Sequence, residues 1–168
     1  MYNYYISAGS NQGDSRAYIE EALASLQKDL AIEVKSIASM IETRPWGYTK
    51  QANFLNTLWI IQSKLGPELM LAKLQALENE AGRARNIHWG PRTLDLDIVY
   101  ALKEGKELVY GSDDLIVPHP YFWDRLFVLE PLAELVPYFT YKGQLISERI
   151  EALQKELGHG NTDEKENT

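Results

Sequence analysis

No cysteine occurs among the 168 residues, so this chain has no disulfide, no zinc-thiolate centre and no thiol nucleophile. No apolar run reaches bilayer-spanning length, and the opening Met1-Tyr2-Asn3-Tyr4-Tyr5-Ile6 has neither a basic flank nor a long enough apolar stretch to read as a signal. A cytoplasmic protein with no membrane partner is expected. Basic residues are scarce too: 17 Lys and Arg stand against 24 Asp and Glu, a formal charge of -7. Nucleic acids are held chiefly by Lys and Arg on phosphates, so the deficit argues against a nucleic-acid partner. The length suits a single domain that buries a core without staples. Its expected extent is residues 1–158, followed by a polar tail over 159–168 that has nothing to bury and is expected to be disordered.

Against this acidic background one segment is locally basic. Arg83, Arg85, His88 and Arg92 directly precede the stretch Thr93-Leu94-Asp95-Leu96-Asp97-Ile98-Val99. In an extended strand residues i and i+2 share a face, so Asp95 and Asp97 converge while Leu94, Leu96 and Ile98 take the other side. Two carboxylates so close repel each other unless a cation lies between them. Mg²⁺ is commonly held by one or two carboxylates together with substrate phosphates. Spacing alone favours a solvated strand face. The adjacent arginines tilt the balance, because their forks match phosphate oxygens. A small anionic ligand such as a magnesium-bound nucleotide is the reading that uses both features.

Hydrophobic periodicity supplies the rest of the frame. Tyr2 to Ala8 reads as a strand, and Asp14 as the N-cap of a helix with Ile19, Ala22, Leu23, Leu26 and Leu30 on its buried face. Ile32 to Glu42 and Phe54 to Ile61 read as strands, joined by a loop over 43–52. Gly66-Pro67 opens a second helix, striped by Met70, Leu74, Leu77 and Ala81 and ended by Gly82. Leu94 to Leu102 is a fourth strand, with a short fifth around Leu108-Val109-Tyr110. This βαββαβ order predicts an α+β ferredoxin-like sandwich: an antiparallel sheet with two helices on one face and additional C-terminal elements. Those additions are a helical piece over Leu129 to Leu135 and a last helix, ending at Gly158, on the outside of the sheet.

Weaker signals stand beside the Asp pair. Gly9-Ser10-Asn11-Gln12-Gly13-Asp14 lacks the Lys-Ser/Thr ending of a Walker loop and reads as a tight strand-to-helix turn. Gln75, Glu78 and Gly82 share one flank of the second helix, and from spacing alone a solvated helix edge is preferred. Phe54 and Asn56 share a strand face, giving a ring to stack on and an amide to bond a planar heterocycle; a core phenylalanine beside a polar strand end fits equally well. His119, between two prolines, and Arg125 are candidates for a phosphate, although a lone loop histidine is more often structural.

In this order the pieces resemble the 6-hydroxymethyl-7,8-dihydropterin pyrophosphokinase family, over Tyr5 to about Pro137. The resemblance is carried by Gly9 to Asp14, Glu42-Thr43-Arg44-Pro45-Trp46-Gly47, Asn53-Phe54-Leu55-Asn56 and Gln75-Ala76-Leu77-Glu78. It continues through Gly82-Arg83-Ala84-Arg85, Trp89 to Ile98, Pro118-His119-Pro120 and Arg125 to Leu129. The Trp-Gly-Pro-Arg-Thr-Leu-Asp-Leu-Asp-Ile block is its most specific part. The resemblance implies transfer of pyrophosphate from ATP to the pterin hydroxymethyl group, with AMP released, in folate biosynthesis. It implies that Asp95 and Asp97 hold two Mg²⁺ ions and that Arg83 and Arg92 act as catalytic, phosphate-facing arginines. Gln75, Glu78, Arg85, Trp89, Arg92, Ile98, His119, Tyr121 and Arg125 match or adjoin ATP positions. Thr43, Pro45, Trp46, Phe54, Asn56, Asp95 and Phe127 match pterin positions, with Phe54 and Phe127 as the stacking pair. Asn86 and Asp114 depart from basic nucleotide contacts of some family members. The partners implied are small molecules only, ATP and the pterin, and a monomer is expected. A non-catalytic ferredoxin-like binding module and an RNA-binding domain of similar topology are the alternatives, and the retained Asp and Arg residues and the acidic charge weigh against them.

Overall fold

The computed structural model describes residues 1–44, 50, 52–82 and 93–166, with side chains in the last helix as far as residue 158. Strand β1 (Tyr2–Ser10) is the central strand, and its side chains from Tyr4 to Ser10 are buried on both faces. Helix α1 (Ser15–Lys28) begins where the Asp14 carboxylate accepts from the Ala17 N–H at 3.1 Å, as the N-cap reading expects. The helix stops at Lys28, so Leu30 lies beyond it and is fully exposed, not part of the apolar face.

The expected strand from Ile32 to Glu42 is two strands, β2 (Ile32–Ile37) and β3 (Ile41–Thr43). Between them the Ala38 N–H donates to the Leu58 carbonyl, and the Ser39 N–H and hydroxyl donate to the Glu134 carboxylate. These two anchors bend the chain away from a continuous ladder. Strand β4 (Phe54–Ser63) and helix α2 (Pro67–Glu80), with proline in its first turn, follow as predicted. Gly82 takes a φ of +71° just after α2, which is the conformation a helix-ending glycine supplies.

Strand β5 (Asp95–Lys103) turns into β6 (Lys106–Glu107), and β7 (Tyr110–Gly111) pairs with β8 (Ile116–Val117). The short fifth strand placed around Leu108 is thus two separate ladders. A 3₁₀ turn at Phe122–Asp124 leads into α3 (Leu126–Leu135), then a hairpin of β9 (Thr140–Tyr141) and β10 (Gln144–Leu145). Helix α4 (Ile146–Glu166) runs past Gly158, where the sequence reading ended it.

The large sheet has the order β2-β4-β1-β5-β6 with β3 also beside β4, and its pairings are antiparallel. Taking β1, β2, β4 and β5 as principal strands, this is the ferredoxin-like α+β arrangement. Ile19, Leu26, Met70 and Leu74 of α1 and α2 pack on one face against Tyr4, Ile6, Trp59, Leu96 and Ile98. The opposite face is not bare. Val128, Leu129 and Leu132 of α3 and Ile146 and Leu153 of α4 form a second core there, with Tyr5, Leu58, Val99 and Tyr100. The C-terminal helices therefore cover part of the second face instead of standing outside the sheet.

One irregularity interrupts β5. Tyr5 pairs with Tyr100 and Ile6 with Ile98, so Val99 is a bulge with no partner on β1. Val99 and Tyr100 consequently both enter the second core. The Val99 carbonyl accepts from the His119 N–H at 2.9 Å.

Candidate functional site

Burial alternates along 94–98 as a half-covered strand requires: Leu94, Leu96 and Ile98 are buried, and Asp95 and Asp97 are half-buried. Cross-strand register then decides what stands beside the carboxylates. Gly9 pairs with Asn56 on one side and Asp95 on the other, and Ser7 pairs with Leu58 and Asp97. Asn56 and Asp95 thus flank a glycine in one row, about 10 Å apart from two inter-strand spacings. Phe54, two residues from Asn56 on β4, belongs to the same face.

Gly9 is the floor of this row. A Cβ built there would lie 2.6 Å from Asn56 Oδ1. Asn56 is only 4 % exposed, and its Nδ2 donates to Thr43 Oγ1 at 2.5 Å. Thr43 is itself paired with Phe54 across β3 and β4. The amide is therefore held between a hydroxyl and a bare backbone. We expect Gly9→Ala to destabilise the fold by about 1–3 kcal/mol, the usual cost of overpacking. Removing the obstacle in a Gly9→Ala/Asn56→Ala double variant should recover much of that loss. Urea midpoints of both proteins test it, and a Gly9→Ala midpoint equal to wild type would mean the amide is not wedged.

The opposite wall comes from the segment 117–127. His119 is half-buried and tied through its backbone to the bulge at Val99, so it is not a freely exposed loop residue. Its Nδ1 accepts from the Tyr121 N–H at 3.1 Å, which leaves the ring proton on Nε2. Burial, then repulsion from Arg125, pushes its pKa down to about 4, against an opposing pull from Asp95. The ring is neutral near pH 7 and can donate from Nε2 without carrying charge.

Arg125 precedes α3, and its carbonyl accepts from the N–H groups of Val128 and Leu129, each at 3.0 Å. Its guanidinium lies 5.6 Å from the ring centres of both Tyr121 and Phe127. Burial lowers its pKa, while Asp97 and then Asp95 act in the opposite sense. The direction of those two influences places cation and carboxylates in one electrostatic neighbourhood. The 3₁₀ turn before Arg125 is pinned from α4: Arg149 Nε donates to the Trp123 carbonyl at 2.9 Å and its guanidinium pairs with Asp124 at 2.6 Å. Nothing in the sequence pattern marked Arg149 for that role.

Other predicted residues separate. Gln75 is exposed, whereas Glu78 is 2 % exposed and accepts from the Leu96 N–H at 3.1 Å, so the solvated-edge reading fails for Glu78. The Ile98 side chain sits in the core beneath α1 and α2, on the face away from the Asp pair. Tyr121 is exposed beside His119. Pro45, Trp46, Arg83, Arg85, Trp89 and Arg92 lie outside the described residues, as do Asn86 and His88. Among the described residues, no group of three or more His, Cys, Asp or Glu side chains is placed to hold a metal, and no helix is long and apolar enough to cross a membrane.

Residues 5–137 match the family model for 7,8-dihydro-6-hydroxymethylpterin-pyrophosphokinase (HPPK). The chain belongs to this family. It is 47 % identical over 131 residues to the 2-amino-4-hydroxy-6-hydroxymethyldihydropteridine pyrophosphokinase of Bacillus subtilis, covering 78 % of this chain and 76 % of the relative. Identity to the enzyme of the same name from Aquifex aeolicus is 36 % over 137 residues, or 82 % of each chain. The folic acid synthesis protein fol1 of Schizosaccharomyces pombe is 38 % identical over 151 residues, but they make up 89 % of this chain and only 20 % of that protein. Among solved structures, an HPPK-DHPS in complex with substrates shares the fold with a TM-score of 0.66 at 13 % identity. That match covers 94 % of this chain and 44 % of the solved one. As a member of the HPPK family the chain is a pyrophosphokinase, an enzyme that transfers pyrophosphate from ATP.

Proposed function

We propose that the face carrying Asp95 and Asp97 binds ATP with two Mg²⁺ ions beside 6-hydroxymethyl-7,8-dihydropterin, and yields the pterin pyrophosphate and AMP. The observation that carries this reading is the row Asn56, Gly9, Asp95: an amide suited to a heterocycle and a carboxylate suited to a metal face one another across a strand with no side chain between them. Phe54 and Phe127 supply the aromatic faces for the pterin, Thr43 and Asn56 serve its polar edge, and Pro45 and Trp46 are further pterin contacts by family resemblance. Gln75, His119, Tyr121 and Arg125 serve the nucleotide, as Arg85, Trp89 and Arg92 do by family resemblance, while the buried Glu78 and Ile98 side chains support that part of the sheet from its other face. The enzyme works on small molecules as a cytoplasmic monomer.

Two oxygen-donor side chains on one strand face fit Mg²⁺, which takes its remaining ligands from phosphates and water. Bound Mg²⁺ supplies charge neutralisation on the phosphates and eases loss of the hydroxyl proton. The chain's own contribution is positioning and fixed charge, which dominate in phosphoryl-type transfer. Arg125 holds positive charge close to the carboxylates, and neutral His119 offers an Nε2 donor for a phosphate oxygen. Arg83 and Arg92 stabilise the charge that develops as the β-phosphorus passes to the new oxygen. In that step the hydroxymethyl oxygen bonds to the β-phosphorus and the bond from that phosphorus to the α,β-bridging oxygen breaks. AMP departs with the bridging oxygen, and the hydroxyl proton is lost to solvent.

Chromatography of a spent reaction of ATP, Mg²⁺ and the hydroxymethyl dihydropterin tests the proposal. AMP and pterin pyrophosphate should accumulate one to one. Stoichiometric ADP would mean transfer of the γ-phosphoryl group and would overturn the assignment.

A further inference from the structure

Among the described residues, strand β5 has a ladder on its outer edge at its far end, where Leu102 and Lys103 meet Glu107 and Lys106. Around Asp95 to Asp97 its inner edge pairs with Ser7 to Gly9, and among the described residues no ladder of the sheet covers the outer one. The Leu96 N–H, midway between the two aspartates, donates to Glu78 Oε2 at 3.1 Å in a buried contact. Glu78 is 2 % exposed and stands on α2, one turn beyond the core residue Leu74. We propose that Glu78 is a positioning residue: its carboxylate holds the Leu96 N–H and thereby fixes the backbone that aims Asp95 and Asp97.

The geometry gives this contact unusual leverage. Leu96 is the one residue between the two carboxylates, so a change in its φ or ψ swings Asp95 against Asp97 and opens the pair. A backbone N–H held by a fixed, buried acceptor resists such a change, because leaving that acceptor would cost a buried hydrogen bond. The acceptor is a side chain of a helix whose apolar stripe is locked in the main core, so its position is inherited from Met70 and Leu74. Glu78 thereby acts on substrate through β5. This inference rests on the reading of Asp95 and Asp97 as the Mg²⁺ pair, and it predicts that Glu78 governs how tightly that pair binds the ion.

Glu78→Gln keeps an oxygen acceptor of the same reach, while Glu78→Leu keeps the volume and removes the acceptor. In the 168-residue chain, the Mg²⁺ half-saturation of turnover should rise about tenfold in Glu78→Leu and at most about threefold in Glu78→Gln, the scale expected when one well-placed hydrogen bond is lost or retained. Two readouts do not depend on turnover. Hydrogen exchange of the Leu96 amide should speed up in Glu78→Leu and not in Glu78→Gln. Calorimetric binding of a non-hydrolysable ATP analogue should need correspondingly more Mg²⁺. Should Glu78→Leu not fold, Glu78→Asp withdraws the acceptor by one methylene and should shift Mg²⁺ dependence and amide exchange in the same direction. Wild-type Mg²⁺ dependence and Leu96 exchange in a folded Glu78→Leu or Glu78→Asp protein would overturn the inference. Asp97→Ala run in parallel separates the two readings: loss of Mg²⁺ response there with none in Glu78→Leu refutes only the bracing role, while a retained response in Asp97→Ala refutes the metal pair itself.

Discussion

Asp97→Ala should fold and should not turn over. The carboxylate is half-buried at the strand's open face, and its removal empties no core position. Its loss withdraws a counter-charge from Arg125 but also relieves repulsion by Asp95. These changes oppose each other, so the melting temperature should stay within a few degrees of wild type. Activity has no such compensation. On the proposed assignment the pair holds the ions that balance phosphate charge, a contribution of several kcal/mol, and turnover should fall by a factor on the order of 10³ or more. A folded Asp97→Ala protein with near-normal Mg²⁺-dependent transfer would sink the metal assignment.

The next largest effects are expected from Arg92→Ala and Arg83→Ala. Removal of a single preorganised donor aimed at developing charge costs roughly 2–4 kcal/mol in transition-state stabilisation, or about 30-fold to 10³-fold in rate. An arginine that meets the phosphates only as charge develops lowers kcat more than it raises KM; one that holds the ground state raises KM with kcat little changed. Arg125 supplies a contrast, since its guanidinium sits among rings and beside the Asp pair. Its loss should weaken nucleotide binding as well as rate. Steady-state kinetics with each substrate varied in turn would sort the three. Wild-type kcat/KM in both Arg83→Ala and Arg92→Ala would make these two arginines bystanders.

The acidic face was readable in the chain because a strand's period is local: Leu94, Leu96 and Ile98 declare the buried side, so Asp95 and Asp97 must occupy the other. The same logic placed Phe54 and Asn56 together. What stayed hidden depends on partners far away in sequence. Glu78 reads as a solvated helix residue because nothing within a turn of it reveals that the Leu96 N–H of β5 lies opposite. The break between β2 and β3 is made by Glu134, about a hundred positions downstream. The second core escaped notice because Tyr5, Tyr100 and Phe139 carry no periodic signal that distinguishes a sheet covered on both faces from one covered on a single face. His119 is ambiguous in sequence because the contact that fixes it, its backbone N–H on the Val99 carbonyl, joins positions far apart in the chain.

That bulge divides β5 into two reading frames. Before Val99 the odd-numbered residues face the site side of the sheet; after it the even-numbered Tyr100 and Leu102 do. The acidic half and the apolar half can therefore vary independently, each keeping its own parity. A transplant of the site into another sheet would have to carry the extra residue along. A strand of strict alternation bearing the same aspartates would present them correctly, yet it would lack the one out-of-step carbonyl from which the histidine loop is suspended.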